Sequence, residues 1–367
     1  MNVVVCGTTF GQVYLEAFRR TDLPLRLAGV LSQGSERSRA CADHYGVPLF
    51  TDVDELPGDV DAACVVVRGG LLGGRGVELS RRLIERGVHV LQEHPLHHDE
   101  LAECLRLARR HGVVHHVNSF YPHVAQVRAF IAAVRALLDL QRPLYVDAAC
   151  GFQLAYSLLD VVRLALGGVR PWGLAGPPAS EPGTAPVFRA LDGTIAGVPL
   201  TLRVQNQLDP GDPDNFAHLM HRVTVGTESG SLTLVGTHGP VVWTPRPRYP
   251  HIPRDPGSAP YFAGAAEDDP AAPSAVVLGP AIAPTFREVF RTEWPAAVGR
   301  ALLQLRRAIL DGEDPLRWGQ HHLAVCKLWQ EIAARLGPPE RLSGSLPPVL
   351  TDEQVTLLAA AALEPLA

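Results

Sequence analysis

The chain contains 367 residues, of which 46% are hydrophobic and 19% are charged, and this composition excludes a disordered or collagen-like protein. Its length corresponds to about two domains of typical size. The 33 Lys and Arg residues against 38 Asp and Glu residues give a net charge of −5, and because no stretch is strongly basic, we do not expect nucleic-acid binding.

Apolar segments are short throughout the sequence. None approaches the roughly 20 residues that a membrane-spanning helix needs. The apolar residues 2–5 lead directly into Cys6 and Gly7, without the basic leader and cleavage site of a signal peptide. We therefore expect a cytoplasmic protein without membrane contact.

The cysteines are scattered singly, and the sequence has no C-x-x-C pair or Cys/His ligand spacing. We expect buried free thiols, since unpaired cysteine usually behaves as a small apolar residue, and we expect no metal site. The six cysteines are Cys6, Cys41, Cys64, Cys104, Cys150 and Cys326.

The first 122 residues alternate short apolar runs with helical stretches, which is the pattern of a parallel sheet built from βαβ units. Strands are predicted at residues 2–6, 25–31, 62–67, 89–92 and 113–117. Helices are predicted at residues 11–19, 37–45, 76–86 and 99–111. We expect residues 1–122 to form an α/β domain with a doubly wound parallel sheet.

From residue 123 the pattern changes. A long helix is predicted at 123–140, followed by strands at 144–149, 200–207, 223–227 and 231–235, and by helices at 295–309 and 319–336. Prolines and glycines crowd the stretch from Pro240 to Pro284, which predicts a long surface loop. We expect an α+β domain over residues 123–367, with a largely antiparallel sheet. Its C-terminal helices are able to pack back onto the first domain.

A strand-to-helix turn follows the first strand, with the sequence Gly7-Thr8-Thr9-Phe10-Gly11-Gln12. Backbone amides in such a turn can bind the phosphates of a dinucleotide. The motif is imperfect, because G-x-G-x-x-G would need glycine at positions 9 and 12. An ordinary tight turn is the alternative, and the position after the first strand of a βαβ unit favours the cofactor.

The end of the second strand indicates which dinucleotide binds. NAD-binding domains usually carry Asp or Glu there to hold the ribose hydroxyls, whereas this chain has Ser32. The hydroxyls that follow, together with the guanidinium of Arg37, suit a ribose phosphate that a carboxylate would repel. We therefore predict NADPH rather than NADH. A purely structural alternative is that Ser35 caps the next helix, which it could do at the same time.

His94 and Tyr121 follow the fourth and fifth strands, and each stands next to a proline. Ligands bind at the carboxyl ends of strands in open α/β sheets, so both side chains could face one crevice beside a nicotinamide. The alternative is a structural role for each. We interpret His97, His98 and His123 as polar turn residues.

Five strings spread over both domains carry a family resemblance. They are residues 87–97 (GVHVLQEHPLH), residues 117–123 (VNSFYPH), residues 208–214 (LDPGDPD), Gly34-Ser35 with Arg37-Ser38-Arg39, and Tyr156-Ser157 with Leu159-Asp160. The sequence resembles the Gfo/Idh/MocA oxidoreductases and, within them, the thiazolinyl imine reductases of siderophore biosynthesis. That resemblance implies an NADP-binding Rossmann domain over residues 1–122. It also implies that residues 123–367 form an α+β domain whose open, largely antiparallel sheet serves substrate binding and dimerisation.

Two positions differ from the sugar and inositol dehydrogenases of that family. Their Glu-x-Pro motif carries a lysine where this chain has His94, and a histidine expected three residues before Asp160 is replaced by Ser157. The loss of this pair argues against oxidation of a polyol.

The resemblance to the reductases implies that NADPH reduces the C=N bond of a thiazoline to a thiazolidine. The intermediate would be held as a thioester on a carrier protein of a nonribosomal peptide synthetase, and the enzyme would be a homodimer. His94 and Tyr121 match the candidate proton donors. The predicted cofactor-binding residues are Gly7, Thr8, Thr9, Phe10, Gly11, Ser32, Gly34, Ser35, Arg37, Ser38, Arg68, Glu93, His94 and Asn118.

Delivery of a hydride to the ring carbon leaves negative charge on the nitrogen, which then needs one proton. An imidazole, with an ordinary pKa of about 6.5, suits this task better than a phenol at about 10. We therefore predict that His94 is the acid or orients a water, and that Tyr121 is its partner or an alternative donor.

Three other functions stay open at this point. They are a sugar or cyclitol dehydrogenase, a small-molecule imine or biliverdin-type reductase, and a regulator that binds NADP(H) without catalysis.

Overall fold

The computed structural model describes residues 1–20, 22–69, 74–176, 186–212, 215–248, 257, 271–342 and 349–362. Its first part is a six-stranded parallel sheet with the strand order β3-β2-β1-β4-β5-β6. The strands are β1 (Asn2–Cys6), β2 (Arg26–Leu31), β3 (Leu49–Phe50), β4 (Ala62–Val65), β5 (His89–Glu93) and β6 (His115–Asn118). The helices between them are α1 (Gly11–Ala17), α2 (Glu36–Tyr45), α3 (Gly76–Glu85) and α4 (His98–His111).

The predicted doubly wound sheet is confirmed. The strand β1 is buried along most of its length, from Val3 to Cys6, as expected of a central strand covered by helices on both faces. β3 was not predicted, because its two residues are too few to produce a periodic signal.

The second part is an eight-stranded sheet with the order β15-β14-β13-β12-β7-β10-β9-β8. Its strands are β7 (Tyr145–Gly151), β8 (Gly173–Leu174), β9 (Phe188–Ile195), β10 (Val198–Gln205), β12 (His221–Thr227), β13 (Gly230–Leu234), β14 (Val241–Pro245) and β15 (Val276–Leu278). All neighbours pair antiparallel except β7 and β10. A largely antiparallel sheet is therefore confirmed. A separate parallel pair joins β11 (Gln207–Leu208) to β16 (Glu340–Arg341).

The remaining helices are α5 (Ala125–Leu138), α6 (Ala155–Leu166), α7 (Phe286–Glu288), α8 (Trp294–Leu310), α9 (Pro315–Leu336) and α10 (Asp352–Ala361). α8 and α9 contact the first sheet's helices. A Cβ on Gly319 of α9 would collide with Leu105 of α4, and one on Gly299 of α8 would lie 3.5 Å from a methyl group of Leu23. The proposed domain boundary between residues 122 and 123 stays a prediction.

The loop expected between Pro240 and Pro284 is a wrong prediction in part, because β14 and β15 lie inside it. They form the edge of the large sheet, where a proline such as Pro245 at a strand end does no harm to the hydrogen-bond ladder. Five prolines of this stretch, Pro250, Pro253, Pro256, Pro260 and Pro270, lie outside the described residues.

β9 was also missed. Its sequence includes Asp192 and Gly193, which are both depleted in strands. A two-residue turn at Ala196 and Gly197, with φ of 53° and 76°, joins it to β10.

All six cysteines are buried and unpaired, as predicted. Burial raises the pKa of Cys6 to about 12 and that of Cys326 to about 12, so both remain thiols. Over the described ranges, no helix combines the length and apolarity that a membrane span requires.

Candidate active site

The predicted site residues gather where the carboxyl ends of the first sheet meet the second part of the chain. β5 and β6 end side by side, with Glu93 paired to Asn118. His94 follows Glu93, and its backbone N–H donates to the carbonyl oxygen of Asn118 at 3.2 Å. Tyr121 lies three residues beyond Asn118. The structure therefore brings the ends of both strands together, as the sequence predicts.

The turn between β1 and α1 requires glycine at its first position. Gly7 has φ of 99°, and a Cβ there would stand 2.6 Å from the carbonyl oxygen of Val66. Within the described part of the chain, the amides of Thr8, Thr9 and Phe10 donate to no backbone or side-chain acceptor. Unpaired amides on a tight turn suit an anionic group such as a phosphate.

Gly11 is less constrained than Gly7. A Cβ at this position would meet a methyl group of Val5 at 3.5 Å, which is an ordinary contact. The packing of the protein therefore does not demand glycine here. Phe10 makes edge-to-face contacts with Phe120 at 5.3 Å and Trp294 at 5.8 Å between ring centroids, so its side chain helps to join the turn to α8.

A cluster of hydroxyls connects this turn to the end of β2. Ser38, which is fully buried, lies at its centre, 2.8 Å from both Ser32 and Ser35 and 3.3 Å from Thr8 (oxygen to oxygen). Ser35 also accepts a hydrogen bond from the Ser38 amide at 3.3 Å, which is the helix cap considered from the sequence.

Arg37 stands beside this hydroxyl cluster. Its Nη2 donates to the hydroxyl of Thr9 at 3.1 Å, which ties the start of α2 to the first turn. Gly34 has φ of 76° and lies between β2 and α2. Ser32, Ser35, Arg37 and Thr9 thus form one polar surface on the two turns that the sequence assigns to the cofactor.

A buried hydrogen-bond chain links α1 with the ends of β5 and β6. The hydroxyl of Tyr14 donates to a carboxylate oxygen of Glu93. The side-chain amide of Asn118 donates to the Tyr14 oxygen at 2.5 Å. Burial and the neighbouring Glu93 carboxylate raise the pKa of Tyr14 well above its usual value, so it stays a neutral donor.

Asn118 also supports an unusual backbone conformation. Its side-chain oxygen accepts from the amide of Phe120 at 2.9 Å, and Phe120 has φ of 62°, a left-handed value that costs a bulky residue free energy. The next residue is Tyr121. Asn118 therefore shapes the turn that carries Tyr121, in addition to its predicted position near the cofactor.

The hydrogen bonds of His94 fix which ring nitrogen carries its proton. Nδ1 lies 3.0 Å from the carbonyl oxygen of Asn118, and because a carbonyl can only accept, Nδ1 must be the donor. A carboxylate oxygen of Glu93 lies 3.1 Å from the same nitrogen. The ring stacks on Tyr156 at 5.3 Å, and its side chain is 8% exposed. Nε2 is consequently the nitrogen through which His94 can exchange a proton with a ligand.

Tyr121 is buried among aromatic rings. Its ring centroid lies 5.1 Å from Phe120, 4.7 Å from His221 and 6.5 Å from Trp294, all at steep interplanar angles. These edge contacts hold the phenol in a narrow range of orientations.

His221, at the start of β12, is a site residue that the sequence analysis missed. It is 1% exposed, and its Nε2 lies 2.8 Å from the hydroxyl of Ser157. The imidazole that is absent at position 157 is thus supplied by another element. This finding weakens the argument against a polyol dehydrogenase, because a histidine does stand next to Ser157. One signal in the sequence could have indicated it. Side chains alternate between the two faces of a strand, and this places position 221 of β12 on the same buried face as Val223 and Val225.

Asp160 lies on α6 and does not join His94 in these contacts. It accepts from Ser119 and, at 2.5 Å, from Nε of Arg163. Burial alone would raise the pKa of Asp160, but Arg163, His322 and Ser119 hold it at about 2. Through Ser119, this buried ion pair anchors the chain just before Tyr121.

Three other residues named in the sequence analysis lie in turns or after strands of the first sheet. Arg68 is exposed after β4, and in the described chain its side chain makes no hydrogen bond with the other predicted cofactor residues. His97 is a helix cap, since its Nδ1 accepts from the amide of Asp99 at 3.3 Å. His123 ends the short 3-10 turn Tyr121–His123, and burial lowers its pKa to about 4. Two residues of the 208–214 string, Pro213 and Asp214, lie outside the described residues.

A cavity of about 550 Å³ is lined partly by Asp160, Arg163 and Leu164 of α6. It is bounded by Ser119 and Asp160 and by α5, α8 and α9, and neither His94 nor Tyr121 lines it. The described residues contain no group of three or more His, Cys, Asp or Glu side chains that could hold a metal ion.

Two family models match the chain. Residues 1–119 match the oxidoreductase family with an NAD-binding Rossmann fold, Gfo/Idh/MocA. Residues 141–244 match the C-terminal domain of Irp3-like thiazolinyl imine reductases. No curated protein sequence matches the chain.

Solved structures share the fold at low sequence identity. An oxidoreductase from Agrobacterium radiobacter, in complex with NAD⁺, L-tartaric acid and magnesium, is 14% identical with a TM-score of 0.65, covering 91% of this chain and 96% of its own. A UDP-N-acetylglucosamine 3-dehydrogenase from Acidithiobacillus ferrooxidans is 16% identical, with a TM-score of 0.63 and coverage of 92% and 99%. A myo-inositol dehydrogenase, so far putative, from Sinorhizobium meliloti is 15% identical, with a TM-score of 0.61 and coverage of 92% and 97%.

Proposed function

Because the chain belongs to the Gfo/Idh/MocA oxidoreductases and carries the C-terminal domain of the Irp3-like thiazolinyl imine reductases, we propose that it reduces the C=N bond of a thiazoline with NADPH. The substrate is a thioester on a carrier protein of a nonribosomal peptide synthetase, and the product is a thiazolidine. The match over residues 141–244 is the observation that carries this proposal.

The residues at the end of β2 fit the phosphate of NADPH. Ser32 stands where an NAD-binding domain would place a carboxylate, and Ser35 and Arg37 add a hydroxyl and a guanidinium to the same surface. The buried Ser38 orients the two serine hydroxyls. The unpaired amides of Thr8 and Thr9 are available to the diphosphate.

The nicotinamide cofactor supplies the hydride when bound, and this chain must supply or direct the proton. His94 is suited to donate from Nε2. As an acid it begins as an imidazolium, with the Glu93 carboxylate 3.1 Å from Nδ1. After the proton leaves, the neutral ring keeps its hydrogen on Nδ1, and that tautomer is the one that the Asn118 carbonyl stabilises. No rearrangement of the ring is needed.

Tyr121 is the second candidate donor. It follows β6 by three residues, and β6 ends beside the end of β5, which leads into His94. We assign it the role of a positioning partner, because a phenol is a weaker acid than an imidazolium.

A sugar or cyclitol dehydrogenase is the second candidate function. It is favoured by the histidine beside Ser157, and solved structures that share the fold include such dehydrogenases. Against it stands His94, where those enzymes carry a lysine. A regulator that binds NADPH without turnover is a third possibility from another class.

The test is NADPH oxidation with a synthetic thiazoline thioester, run beside NADP⁺ reduction with a panel of sugars and cyclitols. Turnover of the thioester alone supports the proposal. Turnover of a polyol alone would show that the protein is a sugar or cyclitol dehydrogenase instead. Tight NADPH binding without either reaction would indicate the regulator.

A further inference from the structure

The ring of His221 makes a close contact with Tyr121, and its own surroundings define its protonation. Ser157 has one hydroxyl hydrogen, which it donates to the carbonyl oxygen of Leu154 at 2.9 Å. The 2.8 Å contact between Ser157 and His221 must therefore be a hydrogen bond from Nε2–H of His221 to the Ser157 oxygen.

Nδ1 of His221 is a hydrogen-bond acceptor, whereas Nε2 is a donor. The hydroxyl of Thr237 accepts from the backbone N–H of His221 at 3.1 Å and lies 3.0 Å from Nδ1. Since Nε2 carries the hydrogen of the neutral ring, Nδ1 accepts the hydroxyl hydrogen of Thr237. Both nitrogens are occupied, so the ring is held at three points: its backbone, Ser157 and Thr237.

A ring locked in this way cannot easily give up a proton to a substrate. Burial lowers the pKa of His221 to about 3, which agrees with a permanently neutral imidazole. Its position nevertheless bears on the reaction centre, because it touches Tyr121 and lies close enough to His94 to interact electrostatically with it.

We propose that His221 is a positioning residue for Tyr121. Its immobile ring packs against the phenol ring and restricts the rotation of that ring. This inference deepens the proposed function and rests on it for the identity of the substrate. Phe120 and Trp294 restrain the same ring from other sides. His221 differs from them because hydrogen bonds to the turn between β13 and β14 and to α6 set its orientation. The position of these two elements therefore determines the surroundings of Tyr121.

A double-mutant cycle tests the proposal. His221→Asn removes the ring and keeps a small polar side chain, and it should lower the single-turnover rate with the thiazoline thioester by about tenfold to a hundredfold, the effect of a misplaced reacting group. NADPH affinity should be unchanged. In a Tyr121→Ala background the same substitution should change the rate by less than about twofold, because the residue through which His221 acts is gone. His218→Asn, an exposed histidine in the preceding loop, is the matched control.

If His221→Asn lowers the single-turnover rate by the same factor in the Tyr121→Ala background as in the wild type, the proposal is overturned. His221 would then act independently of Tyr121. A lowered Tm with an unchanged rate per folded molecule would also overturn it, because the role would be purely structural.

A spectroscopic measurement separates this inference from the proposed function. The chain has 7 tyrosines, so fluorine NMR of fluorotyrosine-labelled protein can assign Tyr121 by its loss in Tyr121→Phe. His221→Asn should shift or broaden that resonance, and His218→Asn should leave it unchanged. An unaffected resonance refutes the positioning role even if the thioester is turned over. A shifted resonance without thioester turnover retains the positioning role while the proposed substrate fails.

Discussion

Arg37→Ala provides a direct test of the cofactor that the site prefers. Arg37 and Ser35 lie on the surface at the end of β2, where a ribose phosphate would be bound, and no carboxylate occupies position 32. A hydrogen bond to a charged group contributes about 1.5 to 3 kcal/mol. Because Arg37 is exposed and screened by water, we expect the lower end of that range.

A loss of about 1.5 kcal/mol corresponds to roughly a tenfold rise in Kd. Wild-type protein should therefore bind NADPH at least about tenfold more tightly than NADH. Arg37→Ala should raise the Kd for NADPH by about that factor and leave the Kd for NADH unchanged. Ser32→Asp should move the preference towards NADH, because a carboxylate there repels the phosphate and accepts from the ribose hydroxyls.

The assay is fluorescence or calorimetric titration with both dinucleotides. Arg26→Ala is the matched control, since it removes the same charge at the opposite end of β2, where Arg26 donates to Asn2. Equal dissociation constants for NADPH and NADH in the wild type would refute the reasoning. An equal loss of affinity for NADPH and NADH in Arg37→Ala would show that Arg37 binds a part of the molecule that the two cofactors share.

Four further predictions concern catalysis, metals, stability and assembly. His94→Ala should lower the single-turnover rate by about 10² to 10⁴ with NADPH affinity retained, and Tyr121→Phe should lose less; wild-type rates in both variants and in the double variant would exclude proton donation by either. Activity should survive treatment with a chelator, and a loss that a divalent ion restores would contradict this. Burial lowers the pKa of His115 to about 3, below about 6.5 in an unfolded chain. Protonation of this group therefore does not affect stability above about pH 6.5, and below it the free energy of unfolding falls by about 1.4 kcal/mol per pH unit as the pH approaches the folded pKa. His115→Gln should flatten the dependence of Tm on pH in that window, and an unchanged slope would count against the assignment. Sedimentation should show a homodimer that pairs through the face of the large sheet that carries Tyr145, Asp147 and Thr201. Thr201→Arg should shift the protein to a monomer. A wild-type monomer at micromolar concentration would argue against this surface.

The parallel strands of the first sheet and the position of the site could be predicted from local patterns. Buried strands such as Val3 to Cys6 are continuous apolar runs, and a parallel sheet places the ends of its strands at one edge. His94 and Asn118 could be assigned to that edge for this reason. Their hydrogen bond, and the tautomer that it fixes, depend on side-chain geometry that sequence spacing does not contain.

Tyr14 and His221 could not be found in the same way. Tyr14 reaches Glu93 over 79 positions of sequence, and His221 reaches Ser157 over 64. Contacts of this kind arise from the packing of separate elements, and neither residue belongs to a motif. The weak strand β9 was missed for a different reason, since its partners in the sheet outweigh its own low propensity.

The central claim is reduction of a carrier-bound C=N bond, and the most direct measurement is a single-turnover reaction with deuterium-labelled NADPH. The substrate is a thiazoline thioester on a phosphopantetheinylated carrier protein, and the product is analysed by mass spectrometry. We predict a thiazolidine with one deuterium on the former imine carbon and one solvent-derived hydrogen on nitrogen, formed at the rate of NADPH oxidation. An unchanged thiazoline, from folded protein that is saturated with NADPH and oxidises or reduces a sugar instead, would contradict the account.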